Sequence, residues 1–139
     1  MIYVFSLRIK GEPVGKGAMR KGGGSYTALD VENYEKKIKE MAAFEMRRSG
    51  ISKMKECPLE MLICVFYRVP DGVDEGLKDK MIDGAVSPCL RPDSDEMARV
   101  MMDALNGVVY SDDAQICKLV VNKWYVNSDP GVDVYVDCL

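Results

Sequence analysis

Four aspartates, Asp93, Asp95, Asp112 and Asp113, fall in one stretch, RPDSDEMARVMMDALNGVVYSDDAQI (Arg91–Ile116), with Arg99 and Asp103 between them. On a helix, residues four apart share a face, so Asp95, Arg99 and Asp103 form one polar stripe. Asp93 stands just ahead of that helix, where backbone N–H groups and the helix dipole favour negative charge. If the strand after residues 107–111 starts near the N-terminal end of the helix, Asp112 or Asp113 joins Asp93 and Asp95. Carboxylates packed so closely repel unless one is protonated or a cation sits between them. Hard oxygen donors without His or Cys suit Mg²⁺ or Mn²⁺. Such an ion activates water and offsets charge in phosphodiester cleavage. Arg99 beside it offers a phosphate a fork of N–H donors. A plainer account fits the same residues: an Asp turn after Pro92, an N-cap at Asp95 and an exposed turn at Asp112-Asp113.

The rest of the composition narrows the chemistry. The chain has no histidine, which excludes Ser-His-Asp and Cys-His machinery and HExxH zinc sites. Its five cysteines are widely spaced and odd in number, with no CxxC; this argues against a disulfide framework or structural zinc and for reduced thiols in a cytoplasmic protein. No apolar run is long enough for a transmembrane helix, and the start, MIYVFSLRIK, alternates like a strand. The net charge of −3 hides an asymmetry. Residues 1–55 hold 12 basic and 6 acidic residues, a charge of +6; residues 56–139 hold 7 and 16, a charge of −9. A basic half suits a polyanion and an acidic half suits a cation, although solvated helix surfaces carry charge too.

The elements that must position these groups are those of one domain, residues 1–139. Ile2–Lys10 alternates as a half-buried strand. Residues 10–27, rich in glycine, read as a flexible basic loop carrying Lys16, Arg20 and Lys21. A helix follows, with Asp30 expected as N-cap, Val31, Tyr34, Ile38, Met41 and Phe44 as its buried stripe, and Gly50 as its stop. Leu59–Val69 is expected to be a central strand, since its apolar run is nearly continuous. Residues 70–92 read as a mobile loop with a short helix around Glu75–Ile82. A second main helix runs from Ser94 or Asp95 to Leu105, stopped at Asn106-Gly107. A strand over Gln115–Val126 then turns at Asp129-Pro130-Gly131 into a last strand, expected to pair with it as a hairpin. The fold class is α/β (α+β), a mixed sheet of about four or more strands with two main helices packed on it.

The run Arg91-Pro92-Asp93-x-Asp95, then Asp103-Ala104-Leu105-Asn106-Gly107, then Asp112-Asp113-Ala114-Gln115-Ile116 resembles the RusA family of Holliday-junction resolvases of bacteria, phages and prophages. The loop with Pro13, Lys16 and Arg20, followed by Tyr26-Thr27 and a helix, is similar to the family's N-terminal basic segment, so the likeness spans most of the chain in order. The resemblance implies a Mg²⁺-dependent endonuclease, acting as a homodimer on branched DNA and nicking four-way junctions in pairs. It implies Asp93, Asp95 and Asp113 as metal ligands, with Asp112 as an accessory. Two positions depart from the pattern: the family's Asp-Asn-Leu is Asp95-Glu96-Met97 here, and its catalytic lysine is Arg99. Arginine clamps phosphate but is a poor proton donor, because its guanidinium holds its proton too tightly.

The expected roles follow. Asp93, Asp95 and Asp113 hold the metal, Arg99 stabilises transition-state charge, and Lys16, Arg20, Lys21 and Arg91 grip the DNA backbone. Asp103 pairs with or orients Arg99, and Glu96 adds a carboxylate beside the site. The alternatives are a catalytically weakened junction-binding protein and a phage interaction protein with an acidic docking surface.

Overall fold

The computed structural model describes residues 4–16 and 26–139. Alternation builds the sheet. In β1 (Phe5–Lys10), Phe5 and Ile9 are buried while Ser6, Arg8 and Lys10 face solvent. In β2 (Leu59–Arg68), Leu59, Met61, Ile63, Val65 and Tyr67 are buried, and the residues between them are only partly covered. With β3 (Ile116–Val126) and β4 (Gly131–Cys138) these strands form one four-stranded sheet in the order β1-β4-β2-β3.

β2 is central, as its apolar run suggests, with β3 parallel on one side and β4 antiparallel on the other. The expected β3–β4 hairpin is therefore not formed. β2 lies between the two strands, and residues 127–130 step across its end. The turn chemistry of Asp129-Pro130-Gly131 is compatible with either arrangement. What decides is β4, whose valines pair with the apolar positions of both β1 and β2: Val134, for example, stands opposite both Leu7 and Ile63.

Among the described residues three α-helices accompany the sheet. α1 (Ala28–Ser49) is capped by Thr27, one turn earlier than the expected Asp30. Asp30 instead occupies the third helical position: its N–H donates to Thr27 Oγ1 at 3.0 Å, and its carboxylate accepts the Thr27 N–H at 3.0 Å, a reciprocal capping box. The buried stripe is Tyr34, Ile38, Ala42 and Met46. Phe44, expected inside, is 60% exposed because the true stripe keeps to i, i+4 spacing. α2 (Glu75–Ile82) lies within the 70–92 segment and rests on the β3 edge. α3 (Ser94–Leu105) buries Met97, Val100, Met101, Ala104 and Leu105. Those side chains, the α1 stripe and the inner faces of β1, β2 and β4 make one continuous core. No helix among the described residues is long and apolar enough to cross a membrane. The opposite face of the sheet carries Leu62, Phe66, Val120, Trp124 and Tyr135, all partly or largely open, together with an Arg8–Asp133 ion pair.

Candidate active site

α3 sets the stage. Asp93 is its N-cap, and Glu96 at the third helical position accepts the Asp93 N–H at 3.1 Å. The Arg91–Pro92 peptide just before it is cis. The Pro92 carbonyl accepts a hydrogen bond from the hydroxyl of buried Tyr67 on β2 at 3.2 Å, which fixes the helix entry to the central strand. Burial pushes the Tyr67 phenol up, with the charge of Asp93 adding to it. Arg91 Nη1 lies 3.3 Å from Asp93 Oδ1. Asp95 is exposed in the first turn.

The first described part of the basic loop packs directly on this helix. Gly15 is buried against Pro92 and Glu96, and the Lys16 N–H donates to the Glu96 carbonyl at 3.1 Å. Lys16 Nζ then spans two carboxylates, Glu35 of α1 at 2.8 Å and Asp103 of α3 at 2.9 Å. The Glu35 and Asp103 carboxylates hold the Lys16 ammonium above its ordinary pKa. Its amine therefore sits within an ion network in this structure. Arg20 and Lys21 lie outside the described residues.

The far end of α3 turns sharply. Gly107 takes φ +82°, a conformation that excludes most side chains, and its N–H meets the Tyr110 carbonyl at 2.8 Å. The buried Tyr110 hydroxyl donates back to the Met102 carbonyl at 2.6 Å. Residues 109–111 pair with Met54, whose N–H meets Val109 O at 2.9 Å and whose carbonyl accepts the Ser111 N–H at 3.2 Å. The acidic turn is thus anchored on both sides. Asp112 caps a single 3₁₀ turn, Asp113–Gln115, by accepting the Ala114 N–H at 3.0 Å, and that backbone donor holds its carboxyl below the usual range. Gln115 Oε1 accepts the N–H groups of Ser111 and Asp112, each at 3.0 Å, while its Nε2 donates to the carbonyls of Met54 and Cys57.

These anchors bring the acidic turn against the polar stripe of α3. Arg99 Nη1 stands 3.4 Å from Asp103 Oδ1 and 3.5 Å from Asp113 Oδ2. The result is a line of alternating charge, Glu35–Lys16–Asp103–Arg99–Asp113, that joins α1, the basic loop, α3 and the 3₁₀ turn. Asp103 is its midpoint, with one oxygen on each cation. Burial raises the Tyr110 phenol, and the charges of Asp113 and Asp103 raise it further.

Among the described residues no three acidic or cysteine side chains stand together as a ready metal cage. Arg99 holds Asp113, and Asp93 and Asp95 lie at the start of the helix, about 6–9 Å of helix rise before Arg99. The donor chemistry nevertheless fits a hard divalent cation, since every nearby candidate ligand is a carboxylate. Magnesium is commonly held by only one or two carboxylates, with water and substrate phosphate completing its shell.

Residue types and spacing alone indicated Asp93, Asp95, Arg99, Asp103 and the acidic pair. They did not reveal Glu35, which looks like an ordinary dipole-complementing acid in α1, or Gly15, whose role depends on a contact with residues far along the chain. Gln115 stood in the motif without an assigned task; its capping position after Asp112 was the available signal.

A family model described as endodeoxyribonuclease RusA matches residues 10–137. The chain is also 29% identical over 134 residues to the uncharacterized protein YqaN of Bacillus subtilis (strain 168), with 92% of each chain covered. A family match that begins at the last residue of β1 and ends within β4, taking in every element around the α3 site, shows that the chain belongs to the RusA endodeoxyribonuclease family.

Proposed function

We propose that this protein is a Mg²⁺- or Mn²⁺-dependent endonuclease that resolves four-way DNA junctions by paired nicks. Family membership supports the Holliday-junction substrate and the nuclease class. The observation that carries the residue-level reading is the Arg99–Asp113 contact of 3.5 Å. It sets the acidic turn against the polar face of the helix that opens with Asp93 and Asp95.

In this reading Asp93, Asp95 and Asp113 hold the cation, which when bound supplies an activated water and neutralises phosphate charge. The chain's own residues do the rest. Arg99, exposed on the polar face of α3, leaves its carboxylate partners Asp103 and Asp113 for the scissile phosphate. A phosphate is a stronger bidentate partner for arginine than contacts of 3.4–3.5 Å to two carboxylates. Arg91, with Arg20 and Lys21, binds the flanking backbone, and Lys16 ties the basic loop to α3. Asp112 and Glu96 act through the backbone, one capping the 3₁₀ turn and the other fixing Asp93. Two copies working together would cut both strands.

The test is a nicking assay on a synthetic four-way junction beside a linear duplex of the same sequence, in Mg²⁺, Mn²⁺ or EDTA, with sedimentation analysis of the same sample. Junction-selective nicking that requires the metal, from a dimer, supports the proposal. Junction binding with no nicking in either metal selects a binding protein instead, and no affinity for branched DNA at low salt rejects both.

A further inference from the structure

Two of the five cysteines, remote in sequence, meet in the fold. Cys57, in the segment before β2, and Cys138, at the end of β4, are 81 residues apart, yet their Sγ atoms lie 3.5 Å from each other. Cys138 is exposed and Cys57 partly so, so reagents reach the pair from solvent. The backbone around them is held in place independently of the sulfurs: Cys138 stands opposite Leu59 in the β2–β4 ladder, and the Leu139 N–H donates to the Pro58 carbonyl at 2.9 Å. The sheet therefore presents two thiols already in contact. A disulfide needs about 2.05 Å between sulfurs, and side-chain rotation closes a short gap without breaking the ladder.

We propose that Cys57 and Cys138 form a reversible disulfide by exchange with a low-molecular-weight disulfide such as oxidised glutathione. The thiolate of exposed Cys138 attacks one sulfur of the small disulfide, forming a mixed disulfide and expelling one small thiolate. The Cys57 thiolate then attacks Cys138 Sγ and expels the second. Two cysteine protons pass to solvent or to the departing thiolates, the protein is oxidised by two electrons, and the small disulfide is reduced to two thiols.

The bond has a target beyond itself. The Cys57 carbonyl accepts a hydrogen bond from Gln115 Nε2 at 3.1 Å, and Gln115 Oε1 holds the N–H groups of Ser111 and Asp112. The crosslink thus pins to β4 the segment on which the acidic turn is hung. It also closes a long loop in the unfolded chain, which stabilises the oxidised form.

The experiment incubates the full chain with oxidised glutathione, alkylates remaining thiols, and maps them by peptide mass spectrometry beside Cys57→Ser, Cys138→Ser and Cys89→Ser variants. The expected result is a Cys57–Cys138 peptide pair in the wild type and in Cys89→Ser, reversed by dithiothreitol. Neither pair variant should form it; Cys57→Ser should instead retain glutathione on Cys138. The oxidised wild type should melt roughly 5–10 °C above the reduced form. Cys57 and Cys138 recovered as alkylated thiols, a glutathione adduct that persists on wild-type Cys138, or a lower melting point on oxidation would each overturn the proposal.

Discussion

Gly15→Ala tests how the basic loop is seated on α3. A Cβ at position 15 would overlap Pro92 Cβ and come within 2.8 Å of Glu96 Cβ. Neither neighbour is the far end of a flexible chain: one belongs to a proline ring, the other to the first carbon of a helical side chain. Relief requires the loop to lift from the helix. Overpacking of this kind costs about 1–3 kcal/mol. Lifting the loop also weakens the Lys16 N–H to Glu96 carbonyl bond, whose net worth is about 1 kcal/mol. The expected loss is about 2–4 kcal/mol, a fall in Tm of roughly 10 °C for a chain of this size. Urea unfolding followed by circular dichroism measures it, with an unchanged m-value required. Gly76→Ala is the control of opposite sign. Its nearest neighbour would be Asp74 Oδ1 at 3.4 Å, and replacing a helical glycine by alanine gains up to about 1 kcal/mol. A Gly15→Ala protein within about 0.5 kcal/mol of wild type would show that the loop does not pack on α3 as described.

Three further perturbations follow from the same geometry. Arg8→Ala removes the bidentate partner of buried Asp133, held at 2.7 and 2.8 Å, and leaves the Tyr135 hydroxyl at 3.3 Å as the remaining donor. The cost in urea titration should be about 1–3 kcal/mol, below that of a fully buried pair because the Arg8 side chain is 71% exposed. Tyr110→Phe should cost about 1 kcal/mol, since the Met102 carbonyl keeps its bond from the Asn106 N–H; a neutral result would place the hydroxyl in water instead. The Asp30 carboxyl is held below its ordinary pKa by the Thr27 N–H and then by the Thr27 hydroxyl. Its folded pKa is lower than its unfolded one, so its contribution is present above about pH 4 and lost as pH falls through the folded value. The stability gap between wild type and Asp30→Ala should therefore narrow from about pH 6 to about pH 3; a gap that widened on acidification would contradict the capping box.

Much of this fold is local and therefore legible. Apolar periodicity and stop residues locate α2, α3, β2 and β3 within a residue or two, because Pro70, Asn106 and Gly107 end elements through their own backbone preferences. Thr27 was harder to find. Thr27 and Asp30 are both good caps, and a capping box uses both, so the chemistry alone leaves the helix start three residues uncertain. The β3–β4 relation was not legible at all. A short turn between two alternating strands reads as a hairpin, and only the nonlocal insertion of β2 separates them. The site divides in the same way. The stripe Asp95–Arg99–Asp103 follows from helical spacing, whereas the bridge from Lys16 to Glu35 and Asp103 joins three segments that nothing in the sequence brings together.

The central proposal is that Asp93, Asp95 and Asp113 would hold a divalent cation, which would supply an activated water for phosphodiester cleavage, while Arg99 takes the phosphate. Single-turnover nicking of a four-way junction in Mg²⁺ by wild type and Asp113→Asn, with junction affinity measured in EDTA, tests it most directly. The expected result is a rate lower by about 100-fold or more, with affinity within about threefold of wild type, since the change removes charge from the acidic turn and leaves the basic residues in place. An Asp113→Asn protein that nicks at the wild-type rate in Mg²⁺ would contradict the account.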